Sequence, residues 1–241
     1  MKFSLKTKCF ALKFTRATAF NRATASSGGT DKTILLKYML ILLINYGMMS
    51  CNFNDKSSDK LPIIGERLGF MPNGDTLYPS VPSFSFINQD SQIVTNKDFD
   101  NKIYVVDFFF THCPTICPKV TANMLRIYER FKDSANVSLL SHSIDTKYDT
   151  VGRLKDYANR MGVKAPKWHF ITGNQDSIYQ IADKYYLVIP SVDKSIPGGF
   201  NHDGRLVLVD KQKRVRSFCD GTDAKDVDRF MKDIETLLRE L

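Results

Sequence analysis

One segment constrains this chain more than any other. Residues Ile103-Tyr104-Val105-Val106-Asp107-Phe108-Phe109-Phe110 are apolar at every position but one. A run this short and this evenly apolar offers no face to water, so it predicts a strand covered on both sides. Its neighbours supply the cover. Val120 to Phe131 sets Met124, Ile127, Tyr128 and Phe131 at helical spacing, and Thr150 to Met161 does the same with Leu154, Tyr157, Ala158 and Met161. Gln175 to Tyr186 is a third helical stretch. Between them Phe84 to Ile87, Val137 to Ile144 and Trp168 to Ile171 predict strands. Arg205 to Asp210 and Val215 to Phe218 predict a strand pair, and Asp223 to Leu238 a closing amphipathic helix with Asp223 as its N-cap.

Strand, helix and strand, then helix, hairpin and helix, is the order of an α/β fold: a thioredoxin-like sandwich with a central mixed sheet flanked by helices. There is no internal repeat and no second domain. The expected organisation is an extension and anchor over 1–51, a tether and lead-in over 52–79, and one domain over 80–241.

Charge divides the chain at the same place. The formal net charge is +8, but eight Lys/Arg against one acid fall in residues 1–51, leaving 26 bases and 25 acids in the remaining 190 residues. A nearly neutral body has no basic face for phosphates, so no nucleic-acid partner is expected. Within the extension, Lys32 and Lys37 precede the apolar run Met39 to Ile44, and Gly47 to Ser50 leads into Cys51. This is the layout of a secretory signal, and it resembles a bacterial lipoprotein signal in which the cysteine, here Cys51, becomes the lipidated first residue. The competing expectation is an uncleaved transmembrane anchor, for which the apolar run is short of the ~20 residues a span needs. Both put the body at the cell membrane, on its extracytoplasmic side. Residues 1–31, basic and rich in Ser, Thr and Ala, have the composition of a transit-like presequence, but fit better an upstream start codon, with Met39 or a nearby codon as the true start. Residues 52–60 are polar and predict a flexible tether.

Of five cysteines, only Cys113 and Cys117 lie close together. One close pair is too few for a disulfide scaffold and the right number for a redox or metal site. The buried strand runs straight into Thr111-His112-Cys113-Pro114-Thr115-Ile116-Cys117-Pro118, and strand-to-helix junctions are where α/β folds gather ligands. Pro118 suits a first helical turn. Cys117 is then expected at the helix N-terminus, where the dipole favours thiolate. Two thiolates on a loop can close a disulfide or clamp a soft ion such as Cu(I).

The segment Phe109 to Pro118 resembles the Cys-x-x-x-Cys-Pro signature of the Sco/SenC family of copper-binding thioredoxin-like proteins; ordinary thioredoxins have two residues between the cysteines. The resemblance continues through Ser143 to Thr150, Leu154 to Ala158, Trp168 to Gly173, His202, Leu206 to Asp210 and Asp220 to Asp223, and so covers about residues 80–240 in order. Cys219 departs from it, standing where family members more often have an aromatic residue. The resemblance implies one copper ion per chain, Cu(I) and also Cu(II), held by Cys113, Cys117 and a distant histidine that maps to His202. It implies a role in assembling the copper centre of cytochrome c oxidase, as a metallochaperone, a thiol reductase, or both. The implied partner is the copper-receiving subunit of that oxidase or another cuproprotein. A thiol–disulfide oxidoreductase and a redox or copper sensor are the alternatives; the first of these needs only the cysteine pair.

The other residues carry plainer expectations. His112 adjoins Cys113 and is expected to support the site rather than ligate. His142 and His169 are expected as structural histidines, Met124 and Met161 as core, and Cys219 as a strand residue without chemistry. Asp145 and Asp149 fall on the loop after a core strand, at the sheet edge that carries the cysteines, and divide evenly between site and cap. Val188 to Asn201, with two prolines and two glycines, is expected as a loop that presents His202.

Overall fold

The computed structural model describes residues 60–186, 188–201 and 203–241. The expected anchor with Cys51, and also His202, lie outside the described residues. Among the described residues no helix is long and apolar enough to cross a membrane.

The apolar run forms β5 (Ile103–Phe109), with all seven residues buried. It pairs in parallel with β6 (Val137–Ser143), which pairs in parallel with β7 (Trp168–Thr172). Four more strands extend the sheet. β3 (Ser85–Asn88) runs antiparallel to β7, and β4 (Ile93–Thr95) antiparallel to β3. On the other flank β10 (Arg205–Val209) runs antiparallel to β5, and β11 (Val215–Asp220) antiparallel to β10. The result is one mixed seven-stranded sheet, ordered β11-β10-β5-β6-β7-β3-β4. Two small hairpins stand apart from it: β1 (Gly69–Phe70) with β2 (Thr76–Leu77), and β8 (Ser191–Val192) with β9 (Phe200–Asn201).

The crossovers β5–β6 and β6–β7 are α1 (Cys117–Phe131) and α2 (Val151–Met161). Both connect neighbouring parallel strands in the same direction, so right-handed crossing puts them on one face. The rings confirm it. Tyr157 of α2 packs on Phe109 and Phe170 at 5.4 and 5.6 Å, and Tyr128 of α1 lies 5.9 Å from Trp168. Thr150 caps α2 at one end and left-handed Gly162 closes it at the other. α4 (Ala224–Leu238), capped by Asp223 as expected, packs beside α1 through Arg126–Asp228 and Arg130–Glu235 pairs. The opposite face is covered by α3 (Gln175–Ile181) and the π-turn Ala182–Tyr186 that continues it. There Tyr186 packs against Phe108 and His142.

His142 is fully buried and stacks on Phe108 at 4.8 Å. Burial pushes its pKa down to about 3, so it is a neutral core residue. His169, also buried, accepts at Nδ1 from the Asn88 amide nitrogen at 3.2 Å. The basic tract 211–216 is largely neutralised within the fold: Arg214 and Arg216 both pair with buried Asp210.

The lead-in beyond residue 60 is held to the domain by hydrogen bonds from its backbone at both its ends. Leu61 N–H donates to Glu240, Ile64 N–H to the Val215 carbonyl, and Val81 N–H to the Lys213 carbonyl.

Candidate functional site

β5 ends at Phe109, and the chain turns over Phe110 to Cys113, whose N–H donates to the Phe110 carbonyl at 3.2 Å. What holds this turn is Asp149. It is fully buried and accepts three hydrogen bonds: from Thr111 N–H at 3.0 Å, the Thr111 hydroxyl at 2.5 Å and the Ser143 hydroxyl at 2.7 Å. One carboxylate thus ties the cysteine loop to the end of β6. Asp149 is therefore a brace for the site. Asp145 lies nearer the surface, with its carboxylate 3.8 Å from His112 Nε2.

The loop brings the two cysteines together. Cys113 is half-buried, hydrogen-bonded to the Cys117 side chain and 3.7 Å from the Thr115 hydroxyl. Cys117 is the first residue of α1, and Pro118 sits in the first turn, as expected. No side chain caps this helix; Pro118 brings no N–H, and the Lys119 and Val120 N–H groups both donate to the Ile116 carbonyl, at 3.0 and 3.1 Å. The expected low-pKa thiol at Cys117 does not follow from that position. The hydrogen bond with Cys113 and burial both push the Cys117 thiol well up, with a backbone hydrogen bond involving Phe110 acting the other way. Sequence alone registers the helix terminus but not the burial of Cys117, which is only 3% exposed. The pair is asymmetric: an accessible thiol on the loop and a sheltered one beneath it.

A groove of about 310 Å³ opens beside Cys113 between α1 and α2, floored by Phe110, Leu125, Tyr157 and Met161. Met161 lines this groove while Met124 is core, fully buried. His112 projects on the other side, its ring 4.9 Å from Phe110 and 4.2 Å from Tyr148, with Arg153 stacked over Tyr148. Cys219 is buried on β11, and burial raises its thiol. Among the described residues no three His, Cys, Asp or Glu side chains converge as a metal cluster.

The segment that carries position 202 is anchored on the cysteine loop from both sides. The expected loop 188–201 contains the hairpin β8–β9, which meets the cysteine loop at two points. Gly198 has φ +91°, and a side chain there would collide with the Phe110 ring at 2.8 Å and Pro114 at 3.2 Å. Phe200 packs tilted against Phe110, ring centroids 5.2 Å apart. Past position 202, Gly204 comes so close to α1 that an added Cβ would lie 3.0 Å from Val120 and 3.7 Å from Ile116. The sequence marks Gly198 and Phe200 only as part of the loop expected to present His202, without their contact on Phe110, and gives no sign of Gly204 beyond its being a glycine.

The SCO1/SenC family profile matches residues 75–239. The SCO1 protein homolog of Bacillus subtilis (strain 168) is 30% identical over 167 residues, covering 67% of this chain and 84% of that protein. Among solved structures, BsSco is described as a member of the Sco family of cytochrome c oxidase assembly proteins with a disulfide switch. It superposes with a TM-score of 0.59 at 26% identity, over 73% of this chain and 98% of that one. Arabidopsis thaliana ScoI with copper bound gives a TM-score of 0.56 at 24% identity, over 68% and 100%, a likeness of fold.

Proposed function

This chain belongs to the SCO1/SenC family, and on that premise we propose that it binds copper in the assembly of a cytochrome oxidase. In this reading Cys113, Cys117 and His202 hold one copper ion per chain. The observation that carries it is the convergence of two segments on one loop. The thiols of Cys113 and Cys117 are hydrogen-bonded to each other, and the residues flanking position 202, Phe200 and Gly204, rest on Phe110, Val120 and Ile116 around them. Two sulfurs suit a soft ion, and a neutral imidazole completes a three-coordinate set that accepts Cu(I) and also Cu(II). Burial and the hydrogen bond with Cys113 hold the Cys117 thiol protonated in the metal-free state, so binding must release its proton. The ScoI structure, with copper bound on the same fold, supports this reading.

The test is copper titration of the reduced protein without oxygen. One equivalent should bind tightly; Cys113→Ser and Cys117→Ser should each abolish tight binding, because a hydroxyl is a poor ligand for Cu(I). His202→Ala should lose much of the affinity yet keep a reversible Cys113–Cys117 disulfide. Stoichiometric copper in the double Cys→Ser variant would sink the reading, and normal copper in His202→Ala would move the third ligand to His112.

A second reading rests on the asymmetry of the pair. Accessible Cys113, as thiolate, attacks a partner disulfide and forms a mixed disulfide; sheltered Cys117, as thiolate, then displaces the partner's sulfur. The partner leaves as a dithiol carrying two electrons, and the pair is left oxidised. The disulfide switch described for BsSco supports this chemistry. Oxidase assembly that survives loss of His202 but not of the cysteines would favour it over copper delivery.

We place the body outside the cytoplasm, tethered to the membrane through a lipid on Cys51. The signal-like layout of residues 32–51 supports this. Cys51→Ala should release the protein from the membrane fraction; retention with an uncleaved apolar segment would mean a transmembrane anchor instead.

A further inference from the structure

The hairpin β1–β2 has no part in the chemistry above, and most of it precedes residue 75, where the family match begins. It is also the most conspicuous apolar surface of the described residues. Leu68 is 63% exposed, Phe70 74%, and Met71 and Leu77 each 42%. The register pairs Gly69 with Leu77 and Phe70 with Thr76. Leu68 and Phe70 therefore lie on one face of the hairpin and Leu77 on the other. Both faces are open to solvent, so the hairpin projects from the body.

It projects from a fixed stem. Ile64 N–H and Val81 N–H, on either side of it, donate to the carbonyls of Val215 and Lys213, each at 2.8 Å. The hairpin itself is closed by Leu68 N–H to the Leu77 carbonyl and Met71 N–H to the Asp75 carbonyl. A two-stranded ribbon of apolar residues is marginal in water. Exposed apolar clusters of this kind mark surfaces that meet something other than water.

The stem also fixes where the hairpin lies. Val215 pairs with Val209, and Val209 with Tyr104, near the start of β5. The cysteines follow the other end of β5. The length of the strand, on the order of 20 Å, separates the two poles.

We propose that the hairpin from Leu68 to Leu77 rests in the interface of a lipid bilayer and keeps the cysteine pole turned away from it. This builds on the membrane tether proposed above. Eight residues, 52–59, separate Cys51 from Lys60, a reach of about 30 Å at full extension. A lipid on Cys51 therefore keeps the hairpin within a domain's width of the bilayer. The tip of the hairpin is polar, with the Asn73 amide donating to Asp75 at 2.7 Å. It therefore lies along the interface with its apolar sides immersed and does not enter tip first. Lys60 and Arg67, both exposed, flank it at headgroup level.

The experiment uses the full chain, purified from membranes and reconstituted into phosphatidylcholine vesicles with ordinary or brominated acyl chains. Trp168 is the sole native tryptophan and is buried, so its emission is the reference. Phe70→Trp should add a blue-shifted emission that is lost in brominated vesicles. Ile93→Trp should serve as the opposite control. Ile93 is 70% exposed on β4, in register with Ile87, which pairs with Thr172 at the cysteine end of β7. Its emission should stay red and unquenched. The proposal is overturned if the Phe70→Trp emission survives in brominated vesicles while the protein floats with them, or if Ile93→Trp is quenched equally. Shielding of Phe70→Trp that disappears on diluting protein among vesicles would assign the hairpin to a second copy and overturn it too. Protein that does not float with the vesicles at all would refute the tether, and with it this orientation.

Discussion

The brace at Asp149 makes the tightest prediction about the site. Asp149→Ala removes the acceptor of three hydrogen bonds and leaves Thr111 N–H, the Thr111 hydroxyl and the Ser143 hydroxyl to find other partners. A bond to a charged acceptor contributes about 1.5–3 kcal/mol. The two hydroxyls can rotate, so the three losses do not add in full, and a cost of about 3–5 kcal/mol is expected. Asp149→Asn keeps the shape and one acceptor oxygen. Its amide must face a hydroxyl that can turn to accept, so its cost should be about 1–2 kcal/mol. Thr111→Val removes one donor only. Urea denaturation reads these costs as a shifted midpoint at constant slope. The double variant Thr111→Val with Asp149→Asn should fall short of the sum of the singles by more than ~0.5 kcal/mol, because both changes act on the same hydroxyl–carboxylate bond. Thr111 lies two residues before Cys113, so Cu(I) affinity should fall in the same rank order. The reasoning is refuted if Asp149→Ala lies within ~0.5 kcal/mol of the parent, or if the double variant is additive.

His142 should make the fold acid-sensitive. Its folded pKa, about 3, lies below the ordinary ~6.5, so the unfolded chain binds the extra proton. The stability is fully present above pH 6.5 and is lost as pH falls toward 3, by about 2 kcal/mol between pH 7.5 and 5. Thermal melts of His142→Leu should lack that increment, and an unchanged pH slope would contradict it. Gly198→Ala combines a strained φ with a collision on Phe110, so it should lift the hairpin β8–β9 from the cysteine loop. Copper affinity should drop while the Cys113–Cys117 disulfide still forms; equal copper affinity in the variant would show that the contact does not position the metal site.

Sequence periodicity found the elements whose burial is one-sided or total. The strand Ile103–Phe109, the helices over Cys117–Phe131 and Ala224–Leu238, and the cap at Asp223 all follow from local pattern. The small hairpins did not, because two-residue strands carry too little alternation to register. The helical stretch 175–186 is legible, but its change of pitch at Ala182 leaves no mark in a hydrophobic stripe. At the site, the cysteine pair was legible from its own spacing. The roles of Asp149 and Gly198 were not, because each depends on a partner dozens of residues away. The sheltering of Cys117 reversed a local rule for the same reason: the helix terminus is written in the neighbouring residues, the burial in the whole sheet.

One side chain has a consequence for how this body relates to the polypeptide around it. Arg216 on β11 reaches the carbonyls of Leu61 and Pro62 and the carboxylates of Asp210 and Glu240, while Leu61 N–H donates back to Glu240 at 2.9 Å. Residues 61 and 240 are therefore side by side, and only a narrow gap separates the two ends of the described body. A few residues joining 241 to 60 would close it, and new ends could be cut at the exposed turn 73–74. Such a circular permutant should still present its thiols, because every strand and crossover near them would remain uncut. The same geometry makes the body a cassette: it can be spliced into another polypeptide at one point, with both junctions emerging at the pole opposite Cys113.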